Sequence, residues 1–328
     1  MSSVVDVCPK RMVYGPCQGV HQDGACELGD RRCVFLDLGV PAFSGPPPAE
    51  APASVAAEQL LAVAERRPIV IAELVARADV AGQQEAAARL AGAVDAALLG
   101  DAPWERVQLP PVLRATLLLQ EGVRPIVGLA CRDRNRVALE GELQGLAAVG
   151  VPMVLCLTGD HPSLGDRADA AAVFDLDSTR LAALAAGRGM IVAVAESASV
   201  PPVATRPARV ASKAAAGATV CFVNHGSADE VERFVDAARV LTPSLRFVVS
   251  VPVAVSEAAR GRLAAFLPGS GGDPLPADGV AAAVATAERL LRIDGVIGVD
   301  LSAAAGEGEE ALVADRVAEV ATALGGGS

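Results

Sequence analysis

Eight times along this chain a short run of β-branched and small apolar residues is followed by a longer Ala-, Leu-, Glu- and Arg-rich stretch. The short runs occupy residues 68–73, 94–100, 125–131, 153–158, 190–196, 219–224, 247–252 and 296–301. The stretches after them carry helical spacing, as at 83–93, 135–148, 227–240 and 279–291. Strand and helix in strict alternation imply a parallel sheet covered by helices, and eight such units close most naturally into a (βα)8 TIM-type barrel. A doubly wound sheet is the alternative. Hydrophobic residues make up 52% of the chain and aromatics only 3%, so the core must be built from Ala, Val and Leu, which suits buried parallel strands.

A barrel of this kind needs about 250 residues, and the chain has 328, leaving room for an extra piece. Residues 44–54, SGPPPAEAPAS, can neither continue a helix nor pack a core, and they mark the boundary. The reading is a cysteine-rich module at 1–43, a linker and lead-in helix at 44–67, and the barrel at 68–328. The net charge of −11 argues against nucleic acid as a partner, because phosphate binding draws on surplus Lys and Arg. No stretch approaches the ~20 apolar residues of a membrane span, and no basic segment precedes an apolar run at the N-terminus, so a cytoplasmic protein with no membrane partner is expected.

Four of the seven cysteines, Cys8, Cys17, Cys26 and Cys33, crowd the first tenth of the chain. In a reducing compartment such a cluster reads as a metal site before it reads as disulfides. Structural zinc or a [4Fe–4S] cluster would each suit four thiolates, and zinc is favoured because so small a segment lacks its own core. Four unliganded thiols in a loose arm are the plain alternative. Cys131, Cys156 and Cys221 fall in or beside strands and read as packing residues.

A barrel keeps its site at the C-terminal strand ends. Those ends carry Glu73, Asp101, Arg132 with Asp133, Asp160 with His161, Glu196, Asn224 with His225, and Asp300. Neither a GxGxxG fingerprint nor a Walker A loop follows any run.

The segment from Cys131 to Asp166, CRDRNRVALEGELQGLAAVGVPMVLCLTGDHPSLGD, and FDLDS at 174–178 resemble the methylenetetrahydrofolate reductase family. LGDAP at 99–103 and VASKAAAGA at 210–218 resemble the same family in the same order, and the likeness spans about 68–303. The stretch at 8–35, CPKRMVYGPCQGVHQDGACELGDRRCVF, is similar to a cysteine-rich module associated with such reductases.

The resemblance implies an oxidoreductase that takes electrons from NAD(P)H, through FAD, to 5,10-methylenetetrahydrofolate. It implies Glu73 as general acid and Asp160 as electrostatic stabiliser of a cation beside the flavin. Thr158, Gly159, Arg132, Asp133 and Lys213 are implied as cofactor neighbours, and Asn224 and Asp101 as substrate contacts. The chain departs from the family after Glu73, where LVARAD replaces an aromatic and proline-rich loop, at Gly128 in place of a histidine, and at Asn224 in place of a glutamine. Those departures keep a second reading alive: a flavin-free or non-catalytic folate-binding subunit whose cysteine module docks a methyltransferase or an electron-transfer protein. Self-association into a homo-oligomer is compatible with either.

Overall fold

In the computed structural model, which describes residues 7–74, 79–100, 107–224, 226–266, 278–305 and 308–327, the eight apolar runs form parallel strands that close on themselves. A two-stranded antiparallel hairpin comes first, β1 (Ala25–Cys26) and β2 (Gly29–Arg32). The barrel strands are β3 (Ile69–Leu74), β4 (Ala96–Leu99), β5 (Pro125–Ala130), β6 (Met153–Leu157), β7 (Ile191–Ser197), β8 (Val220–Asn224), β9 (Arg246–Val253) and β10 (Val296–Ala303). Each pairs with the next, and β10 returns to β3 with Gly298 opposite Ile69 and Leu301 opposite Ala72.

The helices are α1 (Val55–Arg66), α2 (Val80–Leu90), α3 (Pro111–Gln120), α4 (Arg136–Ala148), α5 (Ser178–Ala185), α6 (Arg206–Ala215), α7 (Ala228–Leu241), α8 (Glu257–Phe266), α9 (Gly279–Leu290) and α10 (Glu310–Ala323). Their starts are written in the sequence: Ser54, Asp79, Asn135, Asp177, Ser227 and Asp278 each accept a backbone N–H of the first turn through the side chain. None of the described helices is long and apolar enough to cross a membrane.

Strand pleating divides the apolar side chains into two cores. Val70, Ala72, Leu99, Val127, Leu129, Val154, Val194, Val223 and Val249 face outward against the helices. Ile69, Ile71, Leu98, Ile126, Met153, Leu155, Phe222 and Val248 fill the barrel, and α1 plugs its N-terminal end with Ala57, Leu60 and Val63. Burying Leu60 there stabilises the plug by about 2 kcal/mol.

The N-terminal module lies at the opposite, C-terminal end. Its Val13 N–H donates to the Asp177 carboxylate at 3.0 Å, and the Arg206 guanidinium donates to the carbonyls of Pro16 and Cys17 at 3.4 and 3.0 Å. Met12, Tyr14, Val20 and Phe35 are its buried apolar residues. The linker then runs to α1 close against the backbone at Gly187, where φ is +77° and an added Cβ would stand 2.6 Å from that of Ala49. Only glycine fits both the conformation and the approach.

Candidate functional site

The alternation that sends Ile69 and Ile71 into the barrel sends Glu73 into its mouth. The Ser302 hydroxyl, on β10, donates to Glu73 Oε2 at 2.5 Å. Burial pushes the Glu73 carboxyl above the usual carboxylate range, outweighing that hydrogen bond. Space for its other oxygen comes from Gly100, where a Cβ would stand 2.7 Å from Oε1. Gly100→Ala is therefore expected to displace Glu73 and, if Glu73 is the proton donor, to lower kcat by about tenfold to a hundredfold, since misplacement by an ångström costs that much. Steady-state kinetics beside an unchanged thermal midpoint would check it.

Asp300 sits one pleat deeper on β10, opposite Ile71, with 3% of its surface exposed. Burial first, and the neighbouring Glu73 charge second, push its carboxyl well above the ordinary value. From Asp300 a polar row crosses the mouth. Ser250 Oγ lies 3.3 Å from Asp300 Oδ2 and 2.9 Å from Asn224 Oδ1, and Asn224 Nδ2 donates to Gln18 Oε1 of the N-terminal module at 3.4 Å.

Asp160, after β6, is half exposed at the same end of the barrel. The module reaches it as well: the Lys10 ammonium is 3.9 Å from Asp160 Oδ1 and 2.5 Å from Glu27 Oε1. Glu27 also accepts the His161 N–H at 3.4 Å. The His161 ring stacks on Phe174 at 5.9 Å between centroids. Lys10 and Glu27 are both buried, so the module contributes a closed ion pair to the wall of the mouth.

Beside this wall, between the ends of β4 and β5, lies a cavity of about 220 Å³ lined by Gly100, Gln108, Arg114, Gly128, Arg132 and Asp133 among others. Arg132 is buried and pairs with Asp133 at 3.1 Å. Gly159 has φ +84° and packs so close to Ala130 and Arg132 that a Cβ would stand 3.1 Å from either Cβ. Pockets for drug-sized ligands start near 300 Å³. A volume of 220 Å³ accommodates part of a ligand, such as a ring or a phosphate, and not a whole dinucleotide.

The residues that the resemblance assigns to a flavin do not form one cradle. Arg132 and Asp133 line the cavity, and Gly159 packs against Arg132. Thr158 is buried on the outer side of the barrel, where its Oγ1 accepts the Ser178 N–H at 3.1 Å and ties α5 to β6. Lys213 also lies behind the barrel wall: its ammonium is 3.1 Å from Glu196 Oε2, in a dry cluster with Arg206 and Arg209. A fully buried cation bonded to Glu196 is committed to holding α6 on β7. Asp101 and His225 lie outside the described residues.

The four module cysteines are free, half-buried thiols, and among the described residues no three His, Cys, Asp or Glu side chains are placed to hold an ion. Burial pushes the Cys17 thiol up to about 11, and its sulfur rests 4.0 Å from a Glu27 oxygen. The sulfurs are not gathered into a metal site among the described residues, and the zinc or iron–sulfur expectation rests on the sequence alone.

Sequence reasoning had placed Glu73, Asp160 and Asn224 at strand ends, and they do gather at the mouth. It named Asp300 at a strand end without a specific role, and assigned none to Lys10, Gln18, Glu27, Ser250 or Ser302. The pleat offered a signal for three of these: Ser250, Asp300 and Ser302 alternate with buried aliphatics in runs whose outer positions are Val249, Val251, Val299 and Leu301.

No protein-family model matches the chain, and no curated protein does. Among solved structures, the chain is similar to tryptophan synthase from M. tuberculosis in its open form with BRD0059 bound. The two share 14% identity with a TM-score of 0.51, over 84% of this chain and 98% of that one. It also overlaps 2,3-dimethylmalate lyase, a member of the PEP mutase/isocitrate lyase superfamily, at 13% identity and a TM-score of 0.48, over 76% of this chain and 80% of that one. At such identities the likeness speaks for the fold alone, and the chain is a closed eight-stranded parallel barrel of TIM type.

Proposed function

We propose that the chain is an oxidoreductase of one-carbon chemistry that converts 5,10-methylenetetrahydrofolate to 5-methyltetrahydrofolate with hydride from NAD(P)H. The observation that carries this reading is Glu73, a carboxyl turned into the mouth of the barrel and pushed by burial toward its protonated form. The sequence likeness to methylenetetrahydrofolate reductases gives that acid its task.

Opening the bridge needs a proton on the leaving nitrogen. Glu73 gives its proton to that nitrogen, the bridging C–N bond breaks with its electron pair going to nitrogen, and an iminium carbon remains. Hydride from the nicotinamide ring adds to that carbon, giving the methyl group and NAD(P)⁺. Glu73 is left as a carboxylate and regains its proton from solvent. Asp160 is the mouth carboxylate half open to solvent, and its negative charge favours the cationic iminium. No step is routed through a flavin, because Lys213 and Thr158 are engaged behind the barrel wall.

The test is to mix purified protein with methylenetetrahydrofolate and NADH or NADPH, follow the nicotinamide absorbance, and identify the folate product by mass spectrometry. Consumption matched by methyltetrahydrofolate is the expected result. A yellow chromophore bleached by NADH in the starting sample would restore a flavin to the pathway. Folate binding without hydride transfer would favour the accessory-subunit reading, and absence of folate binding would sink both.

A further inference from the structure

Ser250 stands between two acceptors with one hydrogen to give. Its nearer neighbour is Asn224 Oδ1 at 2.9 Å, and Asp300 Oδ2 lies at 3.3 Å. With the hydroxyl hydrogen on Asn224, an ionised Asp300 would turn Oδ2 toward the lone pairs of Ser250, while its Oδ1 is buried and has no partner among the described residues. A carboxylate shut away from water with neither oxygen accepting a hydrogen bond is among the costliest arrangements a protein can hold.

A proton on Asp300 resolves every contact at once. The acid O–H donates to Ser250 Oγ, Ser250 donates to Asn224 Oδ1, and Asn224 Nδ2 donates to Gln18 Oε1. Each group is then used once and in one direction, and both amide orientations follow. We propose that Asp300 is kept as a neutral carboxylic acid and heads a one-way hydrogen-bond chain through Ser250 and Asn224 to Gln18, whose amide N–H groups then face the acceptor atoms of the ligand.

The charged neighbour of Asp300 is Glu73, from the adjoining strand β3. Ser250 on β9, Ser302 on β10 and Asn224 on β8 are neutral, and below the mouth the inner faces of β4 to β7 carry Leu98, Ile126, Leu155 and Ala193. Among the described residues nothing in that surrounding compensates a second negative charge. Asp300 is thus a positioning residue: it leaves Glu73 as the acid that titrates, and it fixes which edge of Asn224 and Gln18 the ligand meets. The ligand end of the chain takes ring nitrogens or a carbonyl oxygen, which a pterin carries. That last step rests on the reductase reading, whereas the protonation of Asp300 does not.

Infrared spectroscopy of the full-length protein at neutral pH, without substrate, is the test. A carbonyl stretch of a protonated carboxylic acid that is lost in Asp300→Asn and persists in Glu73→Gln should be present, any second such band belonging to Glu73 and vanishing in Glu73→Gln instead. Ser250→Ala should shift the band without removing it, which guards against an Asp300 variant that fails to fold. Absence of the band, or its loss in Glu73→Gln and retention in Asp300→Asn, would overturn the proposal.

If the protein turns over methylenetetrahydrofolate, Asp300→Ala should raise KM about tenfold with kcat little changed, the loss of roughly one hydrogen bond. Asp300→Asn, whose amide donates to Ser250 in place of the acid, should recover most of that loss. Equal damage from both substitutions would overturn the positioning role. A protein with the band but no turnover would keep Asp300 neutral and defeat the reductase reading alone.

Discussion

Glu196→Gln is expected to cost the fold about 3–5 kcal/mol, because it removes the one anion among the described residues that neutralises three buried cations. Arg206, Arg209 and Lys213 approach the Glu196 oxygens at 2.8, 2.6 and 3.1 Å, and the carboxylate is 0% exposed. Burial alone would raise that carboxyl, yet the charges of Lys213, Arg209 and Arg206 outweigh it and hold it far below the carboxylate range. Lys213 moves the other way: burial and the Arg209 charge bring its ammonium down to about 8, despite the pull of Glu196. Three cations share one anion, so the least compensated of them yields. Arg206 also donates to the carbonyls of Pro16, Cys17 and Val200, so the cluster anchors the N-terminal module as well as α6.

Urea unfolding of Glu196→Gln should show the loss, and limited proteolysis should cut the module before the barrel. The pH dependence has a definite sign. A carboxyl depressed on folding holds its stabilisation above its unfolded value of about 4.3 and surrenders it as pH falls through the folded one, so wild type should lose stability on the acid side and the variant should not. A change under 1 kcal/mol would mean that solvent or a second anion compensates the cations.

The cluster illustrates what the chain disclosed before its structure was described. Arg206, Arg209 and Lys213 follow the i, i+3, i+7 spacing of one helix face, and Glu196 falls on the outward parity of β7, since Ala193 and Ala195 face in. Those two periodicities already implied that the four residues meet outside the barrel. The reading of Lys213 as a cofactor contact rested on resemblance and overlooked them. The strands themselves were legible because continuous Val, Ile and Ala runs have few other folds open to them. The docking of the module was not, since Lys10 meets Asp160 and Gln18 meets Asn224 across 150 and 206 positions, with no local pattern linking them. The cysteine spacing likewise could not reveal that Met12, Tyr14, Val20 and Phe35 are buried within the module.

Glu73→Gln should separate activity from stability in opposite directions. As the proton donor for ring opening, Glu73 is expected to contribute about 10²- to 10⁴-fold to kcat, and glutamine cannot give a proton. In wild type kcat/KM should fall about tenfold per pH unit above the folded value of Glu73, because only the protonated acid opens the ring. For stability the sign is reversed from that of Glu196. A carboxyl raised on folding keeps its full stabilisation below its unfolded value, about 4.3, and loses it as pH rises through the folded one. Ionised Glu73 therefore weakens the fold on the alkaline side, and the neutral amide, still able to accept from Ser302, should not. Glu73→Gln is accordingly expected to unfold at a temperature equal to or above that of wild type, with the gap widening as pH rises, while turnover is nearly lost. Thermal melts across pH beside single-turnover kinetics would read both. A variant that kept its rate would remove Glu73 from the chemistry; one that lost rate and stability together would make Glu73 a structural residue.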